Sequence, residues 1–365
     1  MKILKNLLGR KTDQIRSFED FWVWFQKNQR TFFDVVHSDG DVEGKFLSRI
    51  SAKITEIKEG LLFLTGMYDD NTAELVVTVD GNVKNIVFVE ELINAAPNIE
   101  GWKFTTLKPS LDISDFEISM EGQVFNSNKL FFYSNEHLYY PDLIDLTIVH
   151  VDYHESIKEI IINGTYIFLD NYLGELNFAT LIDNITVIAQ EDAENELIPI
   201  EKLKDFLKWR QKEFTEKYEG VRHDTEQDNH SGFEAELESG NNLLAVINTE
   251  LLNWDRKASH PWISILTIKY NGSRNNGMPN SIDYEKLANI EEELLNVLPD
   301  KEGYLYIGRQ TAEGEREIYF ACREFRLPSK VFHNFQQKYS NSFDIDYDIY
   351  KDKYWQSFNR FRTEG

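Results

Sequence analysis

One cysteine, Cys322, in 365 residues removes any intramolecular disulfide framework and fits a reducing compartment, so a cytoplasmic protein is expected. Long apolar runs are equally scarce, and none approaches the roughly 18 residues that a transmembrane helix needs. Residues 1–11 carry basic side chains but neither a continuous apolar stretch nor a small-residue cleavage site, which reads as an amphipathic lead-in and not a secretory signal. Positive charge is in short supply. Against 62 Asp and Glu stand 39 Lys and Arg, a net charge of −23 whose field repels phosphate backbones and anionic membranes. Neither nucleic acid nor membrane is therefore expected as a partner. The acidity has two readings: plain solubility, or a surface offered to a basic protein such as a nuclease. Phosphate-loop, dinucleotide-binding, zinc-protease and nucleophile-elbow signatures are all missing, so no cofactor is expected.

What the chain does have is aromatic and aliphatic mass, 41% hydrophobic with 13% aromatic, enough for substantial cores in two or three domains. Its clearest order lies in residues 262–354. The stretch 262–270 is apolar on both alternating faces, as a central strand would be. Helical spacing of Tyr284, Leu287, Ile290, Leu294 and Val297 follows, then strands at 304–309 and 315–322 across a loop Ala312-Glu313-Gly314. A helix at 329–339 and a strand at 343–350 complete the order strand, helix, strand, strand, helix, strand. That is a split βαβ, or ferredoxin-like, unit in an α+β fold.

Ahead of it, Ser17 caps a helix over 18–33 crowded with Phe21, Trp22, Phe25 and Phe32, a stripe that reads as core. A second helix runs to Ile57, and strands at 61–66 and 74–80, a helix at 86–96 and a strand at 102–107 repeat the later order of helix, hairpin, helix, strand. An internal structural repeat is expected from that correspondence. The middle supplies strands at 116–120, 129–133, 143–151 and 185–189. It also supplies a helical pattern from Ile157, weakened by Asn163-Gly164, and a helix opening at Pro199. Residues 220–232 are almost devoid of apolar side chains and read as a linker. The expected division is an N-terminal α+β domain at 1–219, with sub-units at 1–110 and 111–219, and a C-terminal ferredoxin-like domain at 233–365.

Two clusters have metal-ligating side chains. His223, Asp224, Glu226, Asp228 and His230 sit within the polar stretch, and Asp344, Asp346 and Asp348 emerge on one face of a strand, about 7 Å apart. Each competes with a simpler reading: a charged linker for the first, an edge strand guarded against aggregation for the second. The candidate binding surface is the loop 271–279, with Arg274 and Met278, together with His260, Arg309, Thr311 and Glu317 from neighbouring segments. Arg309 suits bidentate capture of a carboxylate or phosphate; its competing role is a salt bridge inside the hairpin, with Glu317 as partner. Cys322 alternates within a strand and reads as a packed apolar side chain, not a nucleophile.

His260-Pro261-Trp262, Gly277-Met278-Pro279, Ile290-Glu291-Glu292 and the run from Gly308 to Glu317 (GRQTAEGERE) resemble the domain-of-unknown-function 695 family, known mostly from bacterial proteins. Upstream, the stretches at 74–81 and 96–102 are similar to N-terminal regions of bacterial proteins that carry this domain. The family brings no activity to carry over. Some relatives join the domain to one resembling a ribonuclease-inhibitor family, which implies regulation by binding. The reading that follows is a non-catalytic cytoplasmic protein that binds a basic partner through an acidic face, as an inhibitor or immunity protein does. Its rivals are a metal-assisted hydrolase built on the Asp344, Asp346, Asp348 face or on the His223 to His230 cluster, and a scaffold that pairs with copies of itself.

Overall fold

The structure is a computed structural model that describes residues 15–362; the lead-in expected over 1–11 lies outside the described residues. The chain forms two compact units. The first comprises residues up to 116 together with 166–179, and the second 117–165 together with 180–365.

In the first unit, α1 (Phe18–His37) starts where the Ser17 hydroxyl accepts from the Asp20 amide at 3.2 Å, as its sequence suggests. A π-helical turn at 43–47 leads into α2 (Ser48–Ile54). There follow β1 (Leu62–Asp69), β2 (Thr72–Thr78), α3 (Val83–Asn94) and β3 (Trp102–Thr106). Phe21, Trp22, Phe25 and Phe32 are buried, and the Trp22 indole packs 4.4 Å from Phe104, tilted at 59°, while donating to the Leu92 carbonyl at 2.7 Å. The aromatic stripe is therefore core. The sheet order is β1-β2-β3, antiparallel in the first pair and parallel in the second.

The second unit opens with β4 (Ile118–Met120) and β5 (Gln123–Phe125), then β6 (Leu130–Asn135) and β7 (Asp145–His150). The chain passes between units within α4 (Lys158–Leu173) and returns after α5 (Glu175–Leu181) begins. Gly164, which looked like a weakness in that helix, is a packing requirement: a Cβ there would lie 2.1 Å from the Phe125 ring. Next come β8 (Asn184–Ile188), β9 (Ile198–Pro199) and α6 (Leu203–Tyr218), giving a four-stranded sheet of order β8-β7-β6-β9.

The remainder is β10 (His230–Glu236), β11 (Asn242–Asn248), the short α7 (Thr249–Leu252), β12 (Trp262–Lys269), α8 (Ser281–Val297), β13 (Tyr304–Ala312), β14 (Glu315–Cys322), α9 (Arg326–Tyr339) and β15 (Asp344–Lys351). These build a six-stranded antiparallel sheet in the order β10-β11-β13-β14-β12-β15. Its last four strands have the order and crossovers of a split βαβ unit, with β12 interior between β14 and β15. The fold is α+β.

The expected repeat is not confirmed beyond element order. After α3, strand β3 pairs directly with β2, whereas after α9, strand β15 is separated from β14 by β12. The polar stretch 220–232 falls inside the second unit. Its His223 Nε2 meets Asp228 Oδ2 at 2.8 Å, Thr225 donates its amide to Asp300 at 2.9 Å, and its last residues enter β10.

Candidate functional site

Between α8 and the β13-β14 hairpin, two guanidinium groups close on one carboxylate. Glu291, 7% exposed, accepts on Oε1 from Arg309 and from the Tyr306 hydroxyl, and its Oε2 stands 4.0 Å from Arg316 Nη1. Arg316 is 3% exposed, donates through Nε to the Thr311 hydroxyl at 3.1 Å, and lies 5.4 Å from the centre of the Tyr284 ring. Burial resists the charge on Arg309, but Glu291 outweighs it and raises the Arg309 pKa further. For Arg316, burial wins and lowers it. The Tyr306 phenol is pushed up by burial first and by the Glu291 charge second, so it stays a donor.

Backbone geometry brings these side chains to one face. Tyr306 pairs with Phe320 and Gly308 with Tyr319, so the register slips by one residue at Ile307. Without that bulge, Tyr306 and Arg309, three residues apart, would point to opposite faces. Gly308 permits it, with φ +144° and space so tight that a Cβ would lie 2.2 Å from the Val246 carbonyl.

Arg309 pairs with Glu291 and not with Glu317, the partner expected from the sequence. The hairpin loop holds two residues, Glu313 and Gly314, both at positive φ, not the three read from the sequence. A three-residue loop would set Arg309 opposite Glu317. The two-residue loop sets Gln310 there instead, and a one-residue slip turns every side chain to the other face. Glu317 accordingly accepts from Gln310 at 3.2 Å and from Tyr319 at 2.6 Å on the far side of the sheet.

Of the other candidates, Thr311 joins the Arg309 side, and Met278 and Arg274 belong to a loop locked on the hairpin through Gly314 N to Gly277 O at 2.8 Å. Met278 is half-buried and Arg274 exposed. His260 stands apart, before β12, whose eight residues span about 26 Å. It is fully buried beside Trp254, its Nδ1 is 2.8 Å from the Ser259 hydroxyl, and among the described residues its Nε2 has no hydrogen-bond partner. Burial pushes its pKa down to about 3.

The metal candidates do not converge. His223 and Asp228 pair with each other, and Asp228 also accepts from Asn248 at 2.8 Å. Asp224 accepts from the Glu226 amide at 3.0 Å, and exposed His230 approaches the Asp228 carbonyl and the Tyr306 ring. Asp344, Asp346 and Asp348 are exposed along β15 at the sheet edge. Among the described residues, no three His, Cys, Asp or Glu side chains group so as to hold a metal ion.

Sequence reasoning missed Glu291 as the hub, although it stood within the Ile290-Glu291-Glu292 motif; its position one turn after the buried Leu287 was the available signal. It also missed a second charged network. Asp183 bridges Lys351 at 2.8 Å and Lys353 at 2.7 Å, while Asp142 takes Lys217 at 2.7 Å and the hydroxyls of Tyr218 and Tyr354. Burial, set against Asp183, pushes the Lys351 pKa down to about 8. A cavity of about 420 Å³ opens on Asp142, Arg210, Lys217 and Lys353, and one of about 640 Å³ on Tyr270, Gln336, Phe343 and Asp344. Neither is lined by Arg309.

The strand order and the Arg309, Glu291, Arg316 cluster define the C-terminal part as an antiparallel α+β domain whose conspicuous polar residues are bonded inward. Residues 236–361 match the model of a family of unknown function, DUF695. None of the curated proteins and none of the solved structures matches the chain.

Proposed function

We propose that this chain is a non-catalytic binding protein that presents acidic sheet edges to a basic protein partner, in the manner of an inhibitor or immunity protein. One observation carries the reading. The six-stranded sheet ends on exposed carboxylates at both margins, Glu234 and Glu236 on β10 and Asp344, Asp346 and Asp348 on β15. Among the described residues, Glu234, Glu236, Asp346 and Asp348 make no ion pair, and Asp344 has only Lys269 at 3.8 Å. Their charge is left for a partner, while strand geometry fixes successive carboxylates about 7 Å apart and so lowers the ordering cost of binding. Residues with catalytic chemistry, by contrast, are used up: Arg309 by Glu291, His223 by Asp228, Cys322 by full burial.

The test is a titration of basic proteins, cationic nucleases first, by calorimetry at about 50 and 500 mM salt, where screening differs several-fold. Affinity is expected to fall as salt rises, and to fall again when Asp344, Asp346 and Asp348 become Asn or when Glu234 and Glu236 become Gln. Binding that is indifferent to salt and to both sets of substitutions overturns the proposal.

A further inference from the structure

One sheet margin in this protein carries no charged guard along most of its length, only a bulge near its end, where the pairing slips between Met67 and Asp69. Strand β1 pairs only with β2 among the described residues, so its other side presents unpaired backbone N–H and C=O groups to solvent. The strand reads Leu-Phe-Leu-Thr-Gly-Met-Tyr-Asp, with a single charge at its very end. Leu62 and Leu64 are 51% and 48% exposed on one face, onto which Val76 of β2 also projects; Glu74 lies further along that face, and its partner Lys103 stands 3.6 Å from the centre of the exposed Tyr68 ring. In a chain of net charge −23, a neutral and apolar edge is out of keeping.

We infer that β1 is the seam of a homodimer, pairing antiparallel with β1 of a second copy about a two-fold axis at Thr65. The strand is self-complementary in that register. Phe63 faces Met67 and Leu64 faces Gly66 within the regular part of the strand, and Leu62 falls opposite the bulged Tyr68, so each large side chain meets an apolar or a small one. Asp69 falls opposite Leu61, whereas moving the axis to Leu64 would set Asp69 against Glu59, like charges across the pair. The product is a continuous six-stranded sheet with an isologous interface, the commonest symmetry of soluble oligomers. A basic partner has the carboxylate edges to choose; only an uncharged strand suits the neutral one.

The salt dependence separates this seam from the partner binding proposed above. Two copies of an acidic chain repel, so dimerisation strengthens as salt rises, while capture of a basic protein weakens. The experiment is light scattering of the full chain across about 50 to 500 mM salt, with two sets of variants. Leu64→Lys, at a half-exposed position, is expected to keep the wild-type circular dichroism and melting profile while weakening the dimer by at least about tenfold. Thr65→Cys lies on the axis, where facing Cα atoms are about 4.5–5.5 Å apart, and should crosslink on oxidation. Leu62→Cys should not, because six residues of strand put the two thiols about 20 Å apart. Native Cys322 is buried and does not compete. A chain that stays monomeric at high salt overturns the inference, as does a dimer untouched by Leu64→Lys or one that Leu62→Cys crosslinks as readily as Thr65→Cys. Should Leu64→Lys fail to fold, the pair of cysteine variants decides alone.

Discussion

The six-stranded sheet ends on Asp344, Asp346 and Asp348 at one margin and on Glu234 and Glu236 at the other, whereas the three-stranded sheet ends on Leu62, Leu64 and Tyr68. Both are one-chain sheets backed by helices, and an unpaired strand is a standing invitation to further pairing. The first sheet refuses the invitation with carboxylates, the second does not. The interiors differ in how they treat a buried carboxylate. The larger sheet answers its buried carboxylate, Glu291, with two arginines, Arg309 and Arg316, while the smaller answers its own, the fully buried Glu175, with the Thr78 hydroxyl and the amides of Val79, Gly81 and Lys108; Glu74 with Lys103 lies partly exposed on its outer face. The buried charge of the C-terminal sheet is thus met by opposite charges, that of the N-terminal sheet by a hydroxyl and backbone amides beside a core of aromatic rings.

The sharpest way to break this contrast is to remove matched carboxylates. Glu291→Gln leaves buried Arg316 and half-buried Arg309 without their counter-charge, and urea unfolding should register a loss of about 3–5 kcal/mol, against about 0–1 kcal/mol for Glu74→Gln on the outer face. Equal losses would dissolve the distinction. A matched pair of glycines comes next. Gly308→Ala collides with the β11 backbone at a left-handed φ and should cost about 2–4 kcal/mol. Gly66→Ala in β1 meets no atom within 4 Å and should stay within about 0.5 kcal/mol of wild type.

Acid sensitivity sharpens the comparison further. The folded pKa of His260 is depressed to about 3, below the ordinary 6.5, so the unfolded chain takes up a proton that the folded one refuses. The stabilisation is complete above pH 6.5 and is lost as pH falls towards 3. Between pH 6.5 and 4.5 this site alone should remove about 2–3 kcal/mol. His260→Gln should flatten the slope by that amount in unfolding curves taken across the range. His150, also buried in the second unit and also depressed by burial, acts with the same sign. In the first unit the only histidine, His37, is exposed. The smallest expected effect is that of the edge itself: converting Asp344, Asp346 and Asp348 to Asn should leave stability within about 0.5 kcal/mol while weakening any basic partner.

Much of the fold was legible because it is local. Alternation marked β12 as buried on both faces, and it is an interior strand; the 3.6-residue period located α8, and the cap at Ser17 located the start of α1. The site was less legible. Arg309 was picked out, but its partner was misassigned because the loop was read one residue too long, an error that period-2 geometry turns into the wrong face of the sheet. The 220–232 stretch looked detached because it lacks apolar side chains, yet its polar groups bond to Asp300 and to each other.

From the sequence alone came the strands and helices, the acidic balance and the row of Asp344, Asp346 and Asp348 on one strand face, since each is a property of neighbouring residues in one dimension. Which arginine meets which carboxylate, the isolation of His260 from the loop it was grouped with, and the choice of β1 as the unguarded edge were decided in three dimensions. A bulge, a turn length and a strand order set them, and those follow from how distant segments pack.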